Sequence, residues 1–323
     1  NMPQLFVMKY SEINGVNKKV SKIFCGTARA PYNKGGNCNA LLNDVLALGV
    51  NAFDTARVYG GAENALGRWI AECGVRDKIV LLSKCCHPNI FGMKRVNVRA
   101  MRADLKKSLS LLNTNYIDIY LLHRDDVTVP VGPIVEELNA LHAEGKIGAF
   151  GASNWSHERI AQANEYAAAH SLIPYAVTSP NFSAAEQLCD VWGGGVSISG
   201  REGLEARRWY ADSGMAVVAY SSLARGLFSG RVVSGDPASC EVLDKFARRG
   251  YLSEGNIKTL SRIEKVAAER GATVAQIALA YVLCCPFNGF AVVSCSRASR
   301  MQENAAAAGI ELSAEEVAFI EGV

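Results

Sequence analysis

The sequence predicts an α/β fold, a (β/α)8 TIM barrel formed as a single domain over residues 1–323. Three observations predict it. Short β-branched runs alternate with helix-period segments through eight repeats. The strands are nearly continuously apolar, as in Ile117–Leu122, which suits a sheet covered on both faces. No linker, low-complexity tract or shift in composition divides the chain. Parallel strands need crossover connections. Of the two ways to arrange them, an open doubly wound sheet or a closed barrel, eight repeats in about this length favour the barrel.

The elements follow in order. Residues 20–25 read as a strand and 39–48 as an amphipathic helix, then strand 50–53 and helix 63–73. Strand 79–83 leads to helix 98–111, strand 117–122 to helix 134–144, and strand 147–151 to helix 158–170. Strand 175–177 opens an irregular stretch before helix 203–212. Strand 216–219 precedes another loop and helices 257–269 and 274–284. Strand 289–293, helix 300–307 and helix 314–320 close the chain. Gly49, Gly74, Gly145 and Gly271 stand where left-handed C-caps are needed. Ser313 with Glu316 forms a capping-box pattern. Segments 182–200 and 226–255 exceed ordinary connectors, and loops of that size usually carry function.

Charge and composition narrow the function classes. The net charge is only +3. No cluster of Lys and Arg suggests a nucleic-acid or membrane surface. The ten cysteines lack framework or metal-site spacing and read as buried, reduced thiols. The N-terminal residues lack a basic stretch followed by an apolar run. No apolar segment is long enough to span a bilayer. The expected location is cytoplasmic. Oligomeric state is not legible.

In a (β/α)8 barrel the chemistry sits at the C-terminal strand ends. Strand 50–53 runs into Asp54, with Tyr59 in the loop beyond. Strand 79–83 runs into Lys84, and strand 117–122 into His123. Three successive strands thus bring Asp54, Lys84 and His123 to one rim. A free phenol has a pKa near ~10, and a nearby ammonium lowers it. Asp54 can fix the ammonium. Tyr59 then serves as a general acid toward a developing alkoxide, while His123 orients the carbonyl oxygen. This set protonates an oxygen while another group supplies hydride, which a nicotinamide does. Each residue alone would more often be structural, Asp54 and Lys84 as a rim ion pair. A hydrolase or isomerase would want paired carboxylates or a metal cluster at the strand ends. Asp54 is the one strand-end acid before His123.

Over nearly its whole length the chain resembles the aldo-keto reductase superfamily. Phe53-Asp54-Thr55-Ala56-Arg57-Val58-Tyr59-Gly60 looks like that family's second-strand signature, followed by Ala62-Glu63-Asn64-Ala65-Leu66-Gly67. Lys84, Leu121-Leu122-His123 and Gly151-Ala152-Ser153-Asn154-Trp155 match in order and spacing. The resemblance implies a catalytic tetrad of Asp54, Tyr59, Lys84 and His123, and reduction of an aldehyde or ketone by NADPH, preferred to NADH. Gly26 and Thr27, which follow the first strand, are expected on the pocket floor at the cofactor, beside Asp54. Ser153, Asn154 and Ser179 would hold the carboxamide. Tyr220, Ser221, Ser222, Leu223, Arg225 and Gly226 would lie along the nicotinamide and pyrophosphate. Ser294, Ser296, Arg297, Arg300, Glu303 and Asn304 would lie at the adenosine end. Arg297, before Arg300, is the candidate for the 2′-phosphate, by guanidinium pairing and helix dipole.

The sequence also departs from the family pattern. Ser179-Pro180-Asn181-Phe182 stands where a glutamine and a later tyrosine are frequent, Ser222 where proline is frequent, and Ser294 where lysine or glycine is frequent. The last change weakens phosphate binding. No GxGxxG follows the first strand, which argues against a Rossmann cofactor mode. Gly193-Gly194-Gly195 reads as a flexible loop. Substrate contacts are expected from loop aromatics: Tyr32, Phe91, Trp155 and Trp192, the last on a mobile lid. The expected partner is a small carbonyl substrate. The alternative is an NADPH-binding regulatory or redox-sensing module of the same fold with little turnover.

Overall fold

The structure, a computed structural model, describes residues 8–323. Eight parallel strands close into a barrel: β3 (Ile23–Gly26), β4 (Ala52–Asp54), β5 (Val80–Cys85), β6 (Ile117–Leu122), β7 (Ile147–Ser153), β8 (Val177–Ser179), β9 (Ala216–Ala219) and β10 (Asn288–Val293), with β10 pairing back onto β3. The helices between them are α1 (Asn39–Ala47), α2 (Ala62–Cys73), α3 (Val98–Leu111), α4 (Val131–Ala143), α5 (His157–Ala169), α6 (Leu204–Ser213), α7 (Lys245–Tyr251), α8 (Glu254–Arg270), α9 (Val274–Leu283), α10 (Ala298–Ala306) and α11 (Ala314–Glu321). Among the described residues, no single helix is long and apolar enough to cross a membrane.

Two apolar layers hold the barrel. Phe24, Ala52, Val80, Leu82, Ile119, Leu121, Val218 and Phe290 fill the interior. Phe53, Leu81, Tyr120, Leu122 and Phe150 pack outward against the helices. Each large apolar side chain buried this way contributes about 1.5–3 kcal/mol. Strand periodicity then positions the chemistry. Residues two apart share a face, so Asp54 continues the inward row of Ala52, Lys84 that of Val80 and Leu82, and His123 that of Ile119 and Leu121.

Residues 20–25 do not form one strand. Val20–Ser21 (β2) pairs antiparallel with Tyr10–Ser11 (β1), and the break falls at Lys22, whose amide donates to Lys9 O at 2.9 Å. Ile13 and Val20 from this hairpin join the interior cluster and plug one end of the barrel. The region after the seventh barrel strand also differs. Segment 226–255 contains α7, capped by the Asp244 carboxylate on the amides of Phe246 and Ala247. Strand 175–177 begins two residues later than expected, at Val177. The four glycine caps all have positive φ, and the Ser313–Glu316 capping box forms. All ten cysteines are free thiols. Cys25, Cys38, Cys85, Cys86 and Cys295 are buried, whereas the other five are half-buried.

Candidate active site

The C-terminal strand ends open into a cavity of about 920 Å³. Asp54, Lys84 and His123 line it, all at most 5% exposed, together with the half-buried Tyr59. Backbone bonds carry the strand register past the strand ends. Thr55 N donates to Leu82 O at 2.8 Å, Arg57 N to Lys84 O at 3.1 Å and His123 N to Cys85 O at 2.8 Å. Tyr59 sits in the turn before α2. Gly60 follows it with φ +57°, and a Cβ there would meet Asn33 O at 2.8 Å, so only glycine fits.

Lys84 Nζ bonds the Asp54 carboxylate, Thr55 O at 3.1 Å and the Tyr59 hydroxyl at 3.4 Å. The rings of Tyr59 and His123 meet edge-on with centroids 5.7 Å apart. Burial lowers the Lys84 pKa, but Asp54 and Tyr59 outweigh it and hold the ammonium above its ordinary range. For Tyr59 the expected direction is reversed. Burial raises the phenol, Lys84 pulls it down, and the net shift is upward. His123 is held well below the ordinary histidine range by burial and by the charges of Lys84 and Arg124. Its imidazole is neutral, and its Nδ1 has no hydrogen-bond partner.

Most of the expected cofactor residues meet in this one cavity: Gly26, Ser153, Asn154, the stretch from Tyr220 to Leu223, Arg225, Gly226, Ser294, Ser296, Arg297, Arg300 and Asn304. Three expected residues lie outside its lining. Thr27 is buried, and its hydroxyl donates to Asp54 O at 2.9 Å, which steadies the strand end. Ser179 lies beneath the wall, where its carbonyl accepts from Ser153 Oγ at 2.7 Å. Glu303 turns aside to pair with Arg300 at 2.8 Å. Asn154 is a wall residue with no free hydrogen-bonding capacity. Its amide donates to His123 O and Ser153 Oγ and accepts from Val196 N and Tyr220 Oη.

Of the four expected substrate aromatics, Trp192 alone lines the cavity. Phe91 is 79% exposed. The chain turns at Cys86 (φ +59°), and His87 takes the wall position instead. Tyr32 is fully buried behind the wall, its hydroxyl between Cys25 Sγ at 3.6 Å and Cys295 Sγ at 3.4 Å. Trp155 is also buried. Asn154 (φ +61°) turns the chain, and the indole packs on Tyr175 while donating to Arg124 O at 3.3 Å. The Cys85 thiol is pushed up by burial. Cys295 is the thiol pulled down, to about 7, by the hydrogen bond from Cys25.

Two loops meet over the cavity mouth. Arg225 packs its guanidinium 4.4 Å from the Trp192 ring and 5.5 Å from the Phe246 ring, and bonds Asp244 at 2.8 Å. The backbone here is strained. Ser221, Ala224 and Arg225 all hold left-handed φ, as do Cys86 and Asn154. Non-glycine residues adopt that region at a cost of about 1–2 kcal/mol each.

The profile of the Aldo/keto reductase family matches residues 22–323. The chain belongs to this family. This aldo/keto reductase is 26% identical to the uncharacterized oxidoreductase YrpG of Bacillus subtilis, over 95% of its own chain and 93% of the relative. It is 28% identical to the norsolorinic acid reductase stcV of Emericella nidulans, over 87% of its chain and 70% of the relative. It is also 28% identical to a Schizosaccharomyces pombe protein described as a voltage-gated potassium channel subunit beta, over 83% of its chain and 77% of the relative. The cavity of the reductase suits a dinucleotide. Asn304 Oδ1 and Arg225 Nε are buried without partners, and Arg297 stands exposed at the N-terminus of α10 without a carboxylate partner among the described residues.

Sequence reasoning missed two cavity residues at the reacting end, His87 and Arg124. Each lies within four residues of a recognised strand end. The basic residue directly after His123 was the available signal.

Proposed function

We propose that the protein reduces an aldehyde or ketone to an alcohol, taking hydride from NADPH and the proton from Tyr59. One observation carries this reading: a single buried lysine bonds both a carboxylate and a phenol at the base of a cavity of dinucleotide size. Bound reduced nicotinamide supplies the hydride. Tyr59 is protonated at neutral pH, as an ordinary phenol is, and burial shifts it further the same way, so the donor is loaded before substrate arrives. Lys84 stabilises the phenolate left after the proton moves to the carbonyl oxygen, and Asp54 fixes Lys84. Neutral His123, as the Nε2–H tautomer, donates to the same oxygen and orients it. Arg297 takes the 2′-phosphate and favours NADPH over NADH. Ser294, in place of a basic residue, reduces that preference.

The test is Tyr59→Phe. Dinucleotide binding, read by fluorescence titration, is retained, and turnover of a generic aldehyde falls about 10²–10⁴-fold. Unchanged turnover would refute the assignment. The relative described as a channel subunit favours a second reading, an NADPH-holding regulatory module. Rapid multiple-turnover oxidation of NADPH with an aldehyde excludes it, and binding without turnover supports it.

A further inference from the structure

Arg124 follows His123 at the end of β6, lines the cavity and is 8% exposed. Its Nε donates to Gly193 O at 2.9 Å and its Nη1 to His123 O at 2.9 Å. Its Nη2 makes no hydrogen bond to the described residues, and no carboxylate among them pairs with the guanidinium. The adjacent acid, Asp125, is taken by Arg159 at 3.4 Å. Asp190, on the facing loop, accepts the amides of Trp192 and Gly195.

The other groups at this end of the cavity do not supply the missing charge. Lys84 is already neutralised by Asp54. His123 and His87 are both held in the neutral form by burial, and their rings stand 4.9 Å apart. The reacting end therefore carries one positive charge, nine-tenths buried, that no carboxylate among the described residues contacts. Such a charge is unfavourable without a partner. A guanidinium with an open edge is shaped to accept a carboxylate or phosphoryl oxygen through charge-assisted bonds. Of the other cavity arginines, Arg29 and Arg225 share Asp244, Arg231 bonds Ser229, and Arg297 and Arg300 stand at the α10 end, whereas the Arg124 charge is felt by Tyr59, His123 and His87. Its position is that of a substrate contact.

We propose that Arg124 binds an anionic group on the substrate, so that the protein selects carbonyl compounds bearing a carboxylate or phosphoryl group near the reducible carbon. This rests on the carbonyl-reduction reading above and names the substrate class for the same site. Arg124 is the specificity-determining residue, and the reaction itself is unchanged. The C=O carbon gains hydride and its oxygen gains the Tyr59 proton.

The test compares kcat/KM with NADPH for 4-carboxybenzaldehyde against benzaldehyde, and for succinic semialdehyde against butanal. In the wild-type protein the anionic member of each pair is favoured by about tenfold or more. In Arg124→Met the ratio falls toward one. Arg124→Lys keeps part of it, because the charge remains without the fork, and it serves if the methionine variant does not fold. Calorimetric titration with benzoate and with phenylphosphonate gives a readout independent of turnover. Binding lost in Arg124→Met supports the proposal, and the tighter probe identifies the anion. A wild-type ratio near one, or an equal ratio in wild type and Arg124→Met, overturns it and leaves Arg124 as an anchor for the Gly193 loop. If none of the four aldehydes is reduced, the reductase reading fails. Probe binding then still decides the role of Arg124.

Discussion

The Lys84 ammonium lies 3.4 Å from the Tyr59 hydroxyl while holding the Asp54 carboxylate on its other side. One cation thus serves a carboxylate and a phenol at once. Replacing Lys84 by Met leaves Asp54 buried and unpaired. The expected loss is about 3–5 kcal/mol of stability, measured by urea unfolding, together with at least about a hundredfold loss of turnover. The double change Lys84→Met/Asp54→Leu recovers most of the stability and none of the turnover. If turnover returned with stability, the lysine would be structural alone.

Stability is expected to fall on the acid side. His123 and His87 both have depressed pKa values, with burial the largest cause in each. Below about pH 6.5 the unfolded imidazoles take up protons that the folded ones refuse until lower pH. The unfolded state then binds more protons. Each histidine therefore contributes stability that is present above pH ~6.5 and declines below it by up to about 1.4 kcal/mol per pH unit. Urea midpoints between pH 7.5 and 5.5 give the slope. A double variant, His87→Asn/His123→Asn, flattens it, and an undiminished slope there would locate the proton uptake elsewhere.

At the adenosine end, Arg297→Ala is expected to weaken NADPH by about tenfold or more, consistent with loss of a charge-assisted phosphate pair, and to leave NADH nearly unchanged. Arg300→Ala has a smaller effect, since that guanidinium already bonds Glu303. Ser294→Lys tightens NADPH. Fluorescence titrations with both dinucleotides check all three. Equal losses for NADPH and NADH would move the phosphate site away from Arg297.

The stack of Trp192, Arg225 and Phe246 joins two loops across the cavity mouth. A cation–π contact contributes roughly 0.5–2 kcal/mol. Arg225→Met should therefore speed dinucleotide release about 2–30-fold in stopped-flow measurements. A release rate equal to wild type would mean that the stack does not gate the cavity.

The barrel, and the meeting of Asp54, Lys84 and His123 at one rim, were legible because both depend on period-two alternation. Ala52 and Asp54, Leu82 and Lys84, and Leu121 and His123 share faces whatever the loops do. The loop aromatics were less legible because a single left-handed residue redirects a side chain. The loop that turns at Cys86 leaves Phe91 in solvent, and Asn154 turns the chain just before the buried Trp155. Neither residue type announces positive φ as glycine does. The direction of the Tyr59 shift was also hidden. A sequence reports the presence of a neighbouring ammonium, but not how much water both groups lose. Trp192 was found because the glycines beside it marked a loop that reaches over the strand ends.

Ala224 has no side-chain hydrogen bond to compensate for its left-handed backbone, yet it holds φ +47° between Leu223 and Arg225. Ala224→Gly would relieve that conformation and also enlarge the freedom of the unfolded chain, two effects of opposite sign and similar size. The rim therefore works like a bent spring held by its clasps. A protein relaxed at this point would keep its resistance to heat and lose the fixed outline of its entrance, so a screen for thermal endurance alone would pass over the residues that shape what enters.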